Sequence, residues 1–289
     1  MTKLIFFGNT KYSIIGAKVI HKTFPLSAVV TIPDKIIGRK KEVVLSPVKK
    51  FAILHNIPVI ETNKLTDEVV DKIKYLNPDF LVVEDYGLIL PLKLLEIPKI
   101  APLNIHHSLL PKYRGPSPVP SAILNGEKLS GVTIIRMTKD IDAGDILAQK
   151  EYTLIPNETT DSLLTTLNSM GGELLVDVIN QYLQGTTTPQ AQNKDKATLT
   201  RLIKKEDGYF DIENPPDSEQ LDRMIRAYFP WPNVWTKWKG KVVKFYPSPN
   251  HPDSASAGEG SILVQMEGKQ KTPLKDFLNG YPNFPIKKI

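Results

Sequence analysis

The chain contains no cysteine among its 289 residues, which excludes disulfide bonds, a thiol nucleophile and a thiolate metal site. Its five histidines lack the companion ligands of a metal cluster, and we expect no bound metal. No apolar run is long enough to cross a bilayer, and the run at residues 4–7 is too short for the core of a signal peptide. These absences favour a cytoplasmic protein, and 41% hydrophobic residues are enough to build a core.

The whole chain has a formal net charge of +6, and acidic residues are few in two of its regions. Residues 35–50 hold six Lys and Arg against one acid, and the segment from residue 223 to the end holds eleven against four. Either run alone is most simply a solvated face, but two basic regions indicate a polyanionic partner. The candidate nucleic-acid contacts are Arg39, Lys40, Lys41, Lys239 and Lys241.

Short apolar runs alternate with amphipathic stretches over the first two hundred residues, a pattern typical of strands and helices in turn. Buried strands are predicted at residues 4–7, 28–31, 80–84 and 103–105, and helices at 14–21, 47–54 and 67–76. Further strands at 132–137 and 146–154 precede a helix over 163–183, which we expect Gly171 and Gly172 to interrupt. The pattern predicts a doubly wound, mostly parallel α/β sheet.

A polar, lysine-bearing segment over residues 185–205 is typical of a linker. Beyond residue 207 the sequence turns to Trp, Pro and short alternating runs at 234–238 and 241–246, with Gly240 at the turn between them. This pattern favours a small antiparallel β-barrel. We therefore expect an α/β catalytic domain at 1–185, a linker at 186–206 and a barrel domain at 207–289.

The first strand is followed by one glycine, Gly8, and not by a dinucleotide or Walker phosphate loop. More informative are Asn104 and His106, whose side chains project to the same face at the carboxyl end of a strand. His107 turns to the opposite face, and we expect it to be a packing or loop residue. Acyl transfer to an amine needs donors for a tetrahedral oxyanion and a positioned base. Asp142, in a glycine-bearing loop, can approach His106 and orient its ring.

These residues, in order, resemble the folate-dependent formyltransferase superfamily. The resemblance rests on Asn104 and His106, on Ser-Leu-Leu-Pro at 108–111, Arg-Gly at 114–115, Gly-Val-Thr at 131–133, and Asp142 with Gly144. Within the superfamily, residues 38–49, 86–91 and 225–232 are similar to segments of the methionyl-tRNA formyltransferase family. The resemblance covers nearly the whole chain.

The resemblance implies a Rossmann-like formyltransferase domain followed by an OB-like barrel, with Asn104, His106 and Asp142 as catalytic residues. It implies 10-formyltetrahydrofolate as donor, the amine of charged initiator methionyl-tRNA as acceptor, and no metal; we expect a monomer. The residues it implies for the folate donor are Tyr86, Gly87, Leu88, Ile89, Leu90, Ser108, Leu109, Leu110, Pro111 and Asp140.

The chain departs from the family pattern at several positions. Asn9, Thr10 and Lys11 are unusual residues for the family. Glu84 and Asp85 stand where apolar or small residues are usual, and His107 stands where a small residue or proline is usual. The barrel is also short between residues 250 and 265.

Three alternatives remain open from the sequence. The catalytic residues alone fit a formyltransferase acting on a small-molecule amine, such as a nucleotide sugar or glycinamide ribonucleotide. The other two are a non-catalytic tRNA-binding protein and a hydrolase that releases formate from the same donor. The basic loop and the barrel favour a tRNA acceptor, because an acceptor stem needs a positive surface for its phosphates.

Overall fold

The computed structural model describes residues 1–37, 42–248 and 262–289. Arg39, Lys40 and Lys41, and most of the shortened 250–265 segment, lie outside the described residues. Two compact units are present, the first comprising residues 1–116, 129–153 and 164–200, and the second residues 117–128, 154–163 and 201–289. The domain boundaries expected from the sequence stay a prediction.

The first half of the chain alternates strands and helices. Its strands are β1 Leu4–Phe7, β2 Leu26–Thr31, β3 Lys35–Ile37, β4 Glu42–Val44, β5 Val59–Glu61, β6 Phe80–Val83, β7 Ala101–His106, β8 Leu129–Arg136 and β9 Ile146–Thr153. The helices are α1 Ser13–Thr23, α2 Pro47–Leu54, α3 Asp67–Leu76, α4 Leu92–Leu95, α5 Pro118–Leu124 and α6 Thr160–Gln184.

Seven of these strands form one sheet in the order β5-β2-β1-β6-β7-β8-β9. The first five are parallel and the last two pair antiparallel, so the predicted mostly parallel α/β sheet is confirmed. Strands β1 and β6 consist entirely of buried apolar residues, as expected for strands covered on both faces. The strand order reverses between β1 and β6, and open α/β sheets bind ligands at the carboxyl ends of strands beside such a reversal.

Helix α6 runs without interruption through Gly171 and Gly172, so the predicted break was wrong. A Cβ at Gly171 would lie 2.5 Å from a methyl of Ile105, and one at Gly172 would lie 3.0 Å from the Cα of Gly16. The glycines therefore allow α6 to pack closely against β7 and α1. This packing offsets the helix-propensity cost of about 1 kcal/mol per glycine.

The second unit contains a four-stranded antiparallel sheet in the order β10-β11-β12-β13. Besides α5, its elements are α7 Ser218–Ala227, β10 Val234–Trp238, β11 Lys241–Tyr246, β12 Leu263–Met266, β13 Thr272–Pro273 and α8 Leu274–Gly280. Lys239 and Gly240 form the β10-β11 turn with φ of 47° and 73°, values that suit a two-residue hairpin. The predicted change to antiparallel strands is confirmed, whereas α7 and α8 were not predicted. Within the described ranges, no helix combines the length and apolarity needed to span a membrane.

Candidate active site

Asn104 and His106 lie two residues apart on β7, and both face Asp142. The Asn104 side-chain amide donates to Oδ1 of Asp142 at 3.3 Å, and Nδ1 of His106 lies 3.6 Å from its Oδ2. His106 is buried, and the Asp142 side chain is 15% exposed. The structure thus brings together the three residues that the sequence proposed as catalytic.

Asp142 is held in its position from both sides. The backbone N–H of Gly115 donates to its Oδ2 at 2.7 Å, and its own backbone lies in the left-handed region with a φ of 49°. The Gln192 side-chain amide donates to the carbonyls of Asp142 and Gly144 at 2.8 and 2.7 Å. Gln192 in turn accepts two hydrogen bonds from the Arg114 guanidinium. The carboxylate is therefore oriented before any substrate binds.

The orientation of the His106 ring is set by a backbone carbonyl. Nε2 lies 2.9 Å from the carbonyl oxygen of Tyr113, and because a carbonyl only accepts, Nε2 carries the proton of that hydrogen bond. Nδ1 is therefore the ring nitrogen directed at Asp142. Tyr113 itself has a φ of 61°, and its N–H donates to Thr198 Oγ1 at 2.8 Å.

The segment 108–111 is joined to the antiparallel part of the sheet through Thr133. The Thr133 hydroxyl donates to the Ser108 carbonyl at 2.6 Å and accepts from the Leu110 N–H at 3.1 Å. Gln149 donates to both Thr133 and the Leu110 carbonyl. The peptide bond between Leu110 and Pro111 is cis. The hydrogen bonds from Thr133 and Gln149 hold the segment beside His106.

The loop 86–90 follows β6, next to the reversal of strand order. Tyr86 and Leu90 are buried, whereas Ile89 is 73% exposed. Burial raises the pKa of Tyr86 to about 12, and its hydroxyl has no hydrogen-bond partner among the described residues. Gly87 has a φ of 85° with open space where a side chain would lie. A buried unpaired phenol, an exposed apolar side chain and open space suit a partly apolar ligand.

The other residues proposed to bind the folate donor lie in the loops that follow β6, β7 and β8. Leu88 and Leu109 are half-buried, and Asp140 is exposed two residues before Asp142. The Asp140 carbonyl accepts from the Thr138 hydroxyl at 3.3 Å. These positions are compatible with ligand contact, and their roles stay a prediction.

The basic candidates differ in their surroundings. Lys239 and Lys241 are exposed at the β10-β11 turn, with Lys239 Nζ 4.7 Å from the centre of the Trp238 ring. In the first basic region, Lys49 binds Asp34 and Glu61 at 2.7 and 2.9 Å. Its charge is therefore balanced locally by two carboxylates.

Two features of the site were missed from the sequence. Gln192 lies in the polar segment interpreted as a linker, and its glutamine side chain alone gave no signal of a role. The second feature is a contact between Glu84 and His107, with Nε2 of His107 3.5 Å from Glu84 Oε1. Both residues were noted as departures from the family pattern, a signal that could have suggested their pairing.

A model of the formyl transferase family matches residues 9–179, and a model of the formyl transferase C-terminal domain matches residues 202–264. The chain belongs to the formyl transferase family.

The similar curated proteins are methionyl-tRNA formyltransferases. That of Chloroflexus aggregans is 40% identical over 90% of this chain and 84% of its own length. That of Clostridium tetani is 35% identical over 100% of this chain and 94% of its own length.

Solved structures share the fold. The methionyl-tRNA formyltransferase from Clostridium thermocellum has a TM-score of 0.62 at 20% identity, covering 92% of this chain and 99% of that one. An N-formyltransferase from Helicobacter canadensis, solved with folinic acid and dTDP-3-aminofucose, has a TM-score of 0.63 at 21% identity, covering 92% and 96%.

Proposed function

We propose that this protein transfers the formyl group of 10-formyltetrahydrofolate to the amino group of initiator methionyl-tRNA, in the cytoplasm, for translation initiation. The observation that carries the proposal is the single carboxylate of Asp142, which contacts Asn104 and His106 and is held by Gly115. An amide donor, an imidazole and a carboxylate are the groups that acyl transfer to an amine requires. The similarity to methionyl-tRNA formyltransferases over nearly the whole chain supports this acceptor.

In the proposed reaction, Asn104 stabilises the oxyanion that develops when the amine attacks the formyl carbon. Its amide nitrogen has two protons, and one of them is directed at Asp142. The other proton can donate to the oxyanion. Because the amide is already oriented, the interaction strengthens as negative charge develops and requires little reorganisation.

His106 moves the proton. Forming the new C–N bond requires the amine to lose a proton, and breaking the old C–N bond requires the leaving nitrogen of tetrahydrofolate to gain one. Nδ1 of His106 can accept the first proton and return it to the leaving nitrogen. Asp142 stabilises the positive charge of the intermediate imidazolium, because its carboxylate faces the same nitrogen at 3.6 Å.

The loop 86–90 and the segment 108–111 hold the donor in this proposal. Their positions at the carboxyl ends of β6 and β7 support it, since these ends lie at and beside the reversal of strand order. The unpaired hydroxyl of Tyr86 and the open space at Gly87 fit a ligand with both apolar and hydrogen-bonding atoms.

Lys239 and Lys241 are proposed to bind tRNA phosphates, together with Arg39, Lys40 and Lys41 from the first basic region. Exposed lysines in and directly after a two-residue turn suit phosphate contact. An acceptor the size of tRNA explains the presence of basic regions that a small amine does not require.

The test compares acceptors under one set of conditions. The protein and 10-formyltetrahydrofolate are incubated separately with initiator methionyl-tRNA, a dTDP-amino sugar, glycinamide ribonucleotide, or no acceptor, and formylated product and free formate are measured. We expect formylation of methionyl-tRNA to exceed that of either small amine. Preference for a small amine would overturn the proposed acceptor, and release of formate at the same rate without acceptor would indicate the hydrolase.

A further inference from the structure

Glu84 is a fully buried acid outside the proposed catalytic residues. It follows β6, has no exposed surface, and neither carboxyl oxygen has a hydrogen-bond partner among the described residues. Gly16 of α1 and Gly171 of α6 face it, and a side chain at Gly16 would overlap the carboxyl group. An ionised and unpaired carboxylate in such a place costs several kcal/mol, so its charge must be removed or balanced.

His107 lies between Glu84 and a second acid. Its Nε2 is 3.5 Å from Glu84 Oε1 and its Nδ1 is 3.6 Å from Asp85 Oδ1. Both separations are longer than an ordinary hydrogen bond, and Nε2 has no hydrogen-bond partner among the described residues. The His107 side chain is 5% exposed, Glu84 is completely buried, and Asp85 is 21% exposed. His106, the preceding residue at the end of β7, is another titratable neighbour of His107. Where helices α1 and α6 face the Glu84 carboxyl group, the facing residues are glycines, which carry no charge.

One arrangement of protons gives both of these contacts a donor and an acceptor, so that a small shift of the His107 ring can close them into hydrogen bonds. If His107 carries its proton on Nδ1, it donates to Asp85, and its Nε2 is left as an acceptor for a protonated Glu84. The single negative charge then lies on Asp85, the carboxylate nearest to water. Burial, with a smaller effect of Asp85, raises the pKa of Glu84 well above its usual range. Burial also lowers the pKa of His107, against the opposing effect of Asp85.

We propose that Glu84, His107 and Asp85 form a buried hydrogen-bonded relay that fixes the start of the donor-binding loop 86–90. Glu84 is the neutral donor, His107 is the neutral link, and Asp85 is the charged acceptor. These are positioning residues, because none of them is placed against the reacting atoms. The inference rests on the proposed function, since it assigns the relay to donor binding.

The relay reaches the loop through Asp85 and its neighbours. Asp85 has a left-handed backbone with a φ of 50°, and its Oδ2 accepts from the Thr10 hydroxyl at 3.2 Å. The Asn9 side-chain amide donates to the carbonyl of Tyr86. Asn9 and Thr10 after β1, Glu84 and Asp85 after β6, and His107 after β7 thus lie in contact around the turn on which the loop 86–90 begins.

Donor binding tests the positioning role. The affinity for 5-formyltetrahydrofolate, a stable folate, is measured by calorimetry in the parent, Glu84→Gln, Glu84→Ala and His107→Gly, with thermal unfolding recorded for each. Glu84→Gln retains a neutral donor to Nε2 and should bind within about twofold of the parent. The other two variants should bind about tenfold more weakly, because Glu84→Ala removes the donor to Nε2 of His107 and His107→Gly removes the link between Glu84 and Asp85. In turnover, the donor KM should rise more than kcat falls.

A purely structural role predicts a different pattern, in which Tm falls in Glu84→Ala and His107→Gly while affinity stays unchanged in the folded protein. That result would overturn the proposal. The double variant Glu84→Ala with His107→Gly removes both buried polar groups and should fold more stably than Glu84→Ala alone. It should still bind the folate weakly, because Asp85 no longer has its partner.

A second measurement does not depend on folate or tRNA. Nitrogen-15 spectra of the histidine rings, with His107 assigned from the signal missing in His107→Gly, report its tautomer between pH 5.5 and 8. We expect a neutral ring protonated at Nδ1, unchanged in Glu84→Gln. An imidazolium, or a ring protonated at Nε2, would overturn the relay. If the parent fails to bind folate while the tautomer is as expected, the relay stands and the proposed donor is wrong.

Discussion

Replacing Glu84 by Gln should change how stability depends on pH, because the folded protein holds this acid protonated. Burial raises the pKa of Glu84 well above 4.5, so between pH 4.5 and the folded value the unfolded chain releases a proton that the folded chain retains. The free energy of unfolding then falls as pH rises, by about 1.4 kcal/mol per pH unit. Gln carries no such proton, and the variant does not show this fall.

His107 contributes with the opposite sign at lower pH. Its pKa is lowered from 6.5 by burial, so below pH 6.5 the unfolded chain binds a proton that the folded chain does not. That contribution raises stability as pH rises and ends near pH 6.5. Above pH 6.5, therefore, the effect of His107 no longer offsets the fall in the free energy of unfolding that Glu84 causes. The advantage of Glu84→Gln over the parent should then grow as pH rises, until the folded protein also releases the Glu84 proton.

The assay is urea unfolding at several pH values, followed by circular dichroism. Tryptophan fluorescence is unsuitable because all three tryptophans lie at residues 231–238 in the second unit. Glu96→Gln, at an exposed position, is the matched control and should run parallel to the parent. A stability difference for Glu84→Gln that does not change with pH would refute the reasoning, because it would mean that Glu84 is ionised in the folded protein.

Three further predictions concern the catalytic and basic residues. Asn104→Ala should lower kcat by roughly a hundredfold to a thousandfold with little change in tRNA KM, and near-normal turnover in steady-state kinetics would remove Asn104 from catalysis. Gln192→Ala, which releases the Asp142 loop, should lower kcat/KM by up to about a hundredfold, whereas exposed Gln190→Ala should not; equal effects would show that the hydrogen bonds of Gln192 are unimportant. Lys239→Ala combined with Lys241→Ala should raise the KM for tRNA and leave the KM for the donor unchanged. The slope of log affinity against log salt concentration should decrease by about one unit for each phosphate that is no longer bound. No change across a salt series would show that these lysines do not contact tRNA.

Regular elements with a strong local pattern could be predicted from the sequence. β1, α2, α3, β10 and β11 have the predicted bounds, because their apolar spacing matches the period of the element. The break expected at Gly171 and Gly172 was wrong because the cost of glycine in a helix is local, whereas the contacts with β7 and α1 that offset it are tertiary.

The candidate site was predictable where its residues share a strand or a motif. The alternation of Asn104 and His106 follows from the period of β7, and the resemblance supplied Asp142. Gln192 could not be found in this way, since it reaches the loop from 50 residues further along the chain. The partner of Glu84 lies 23 positions away, directly after the neighbouring strand, and only the pairing of β6 with β7 brings His107 beside it.

The most direct test of the central claim is a single-turnover measurement with labelled 10-formyltetrahydrofolate and initiator methionyl-tRNA, comparing the parent with His106→Ala. Protein is present in excess over both substrates, so that the rate reports the transfer step. We predict that the parent transfers the label to the methionyl amine and that His106→Ala binds both substrates but transfers it at least about a hundredfold more slowly. Transfer at the parental rate by His106→Ala, or no transfer by the parent, would contradict the proposed function and its site.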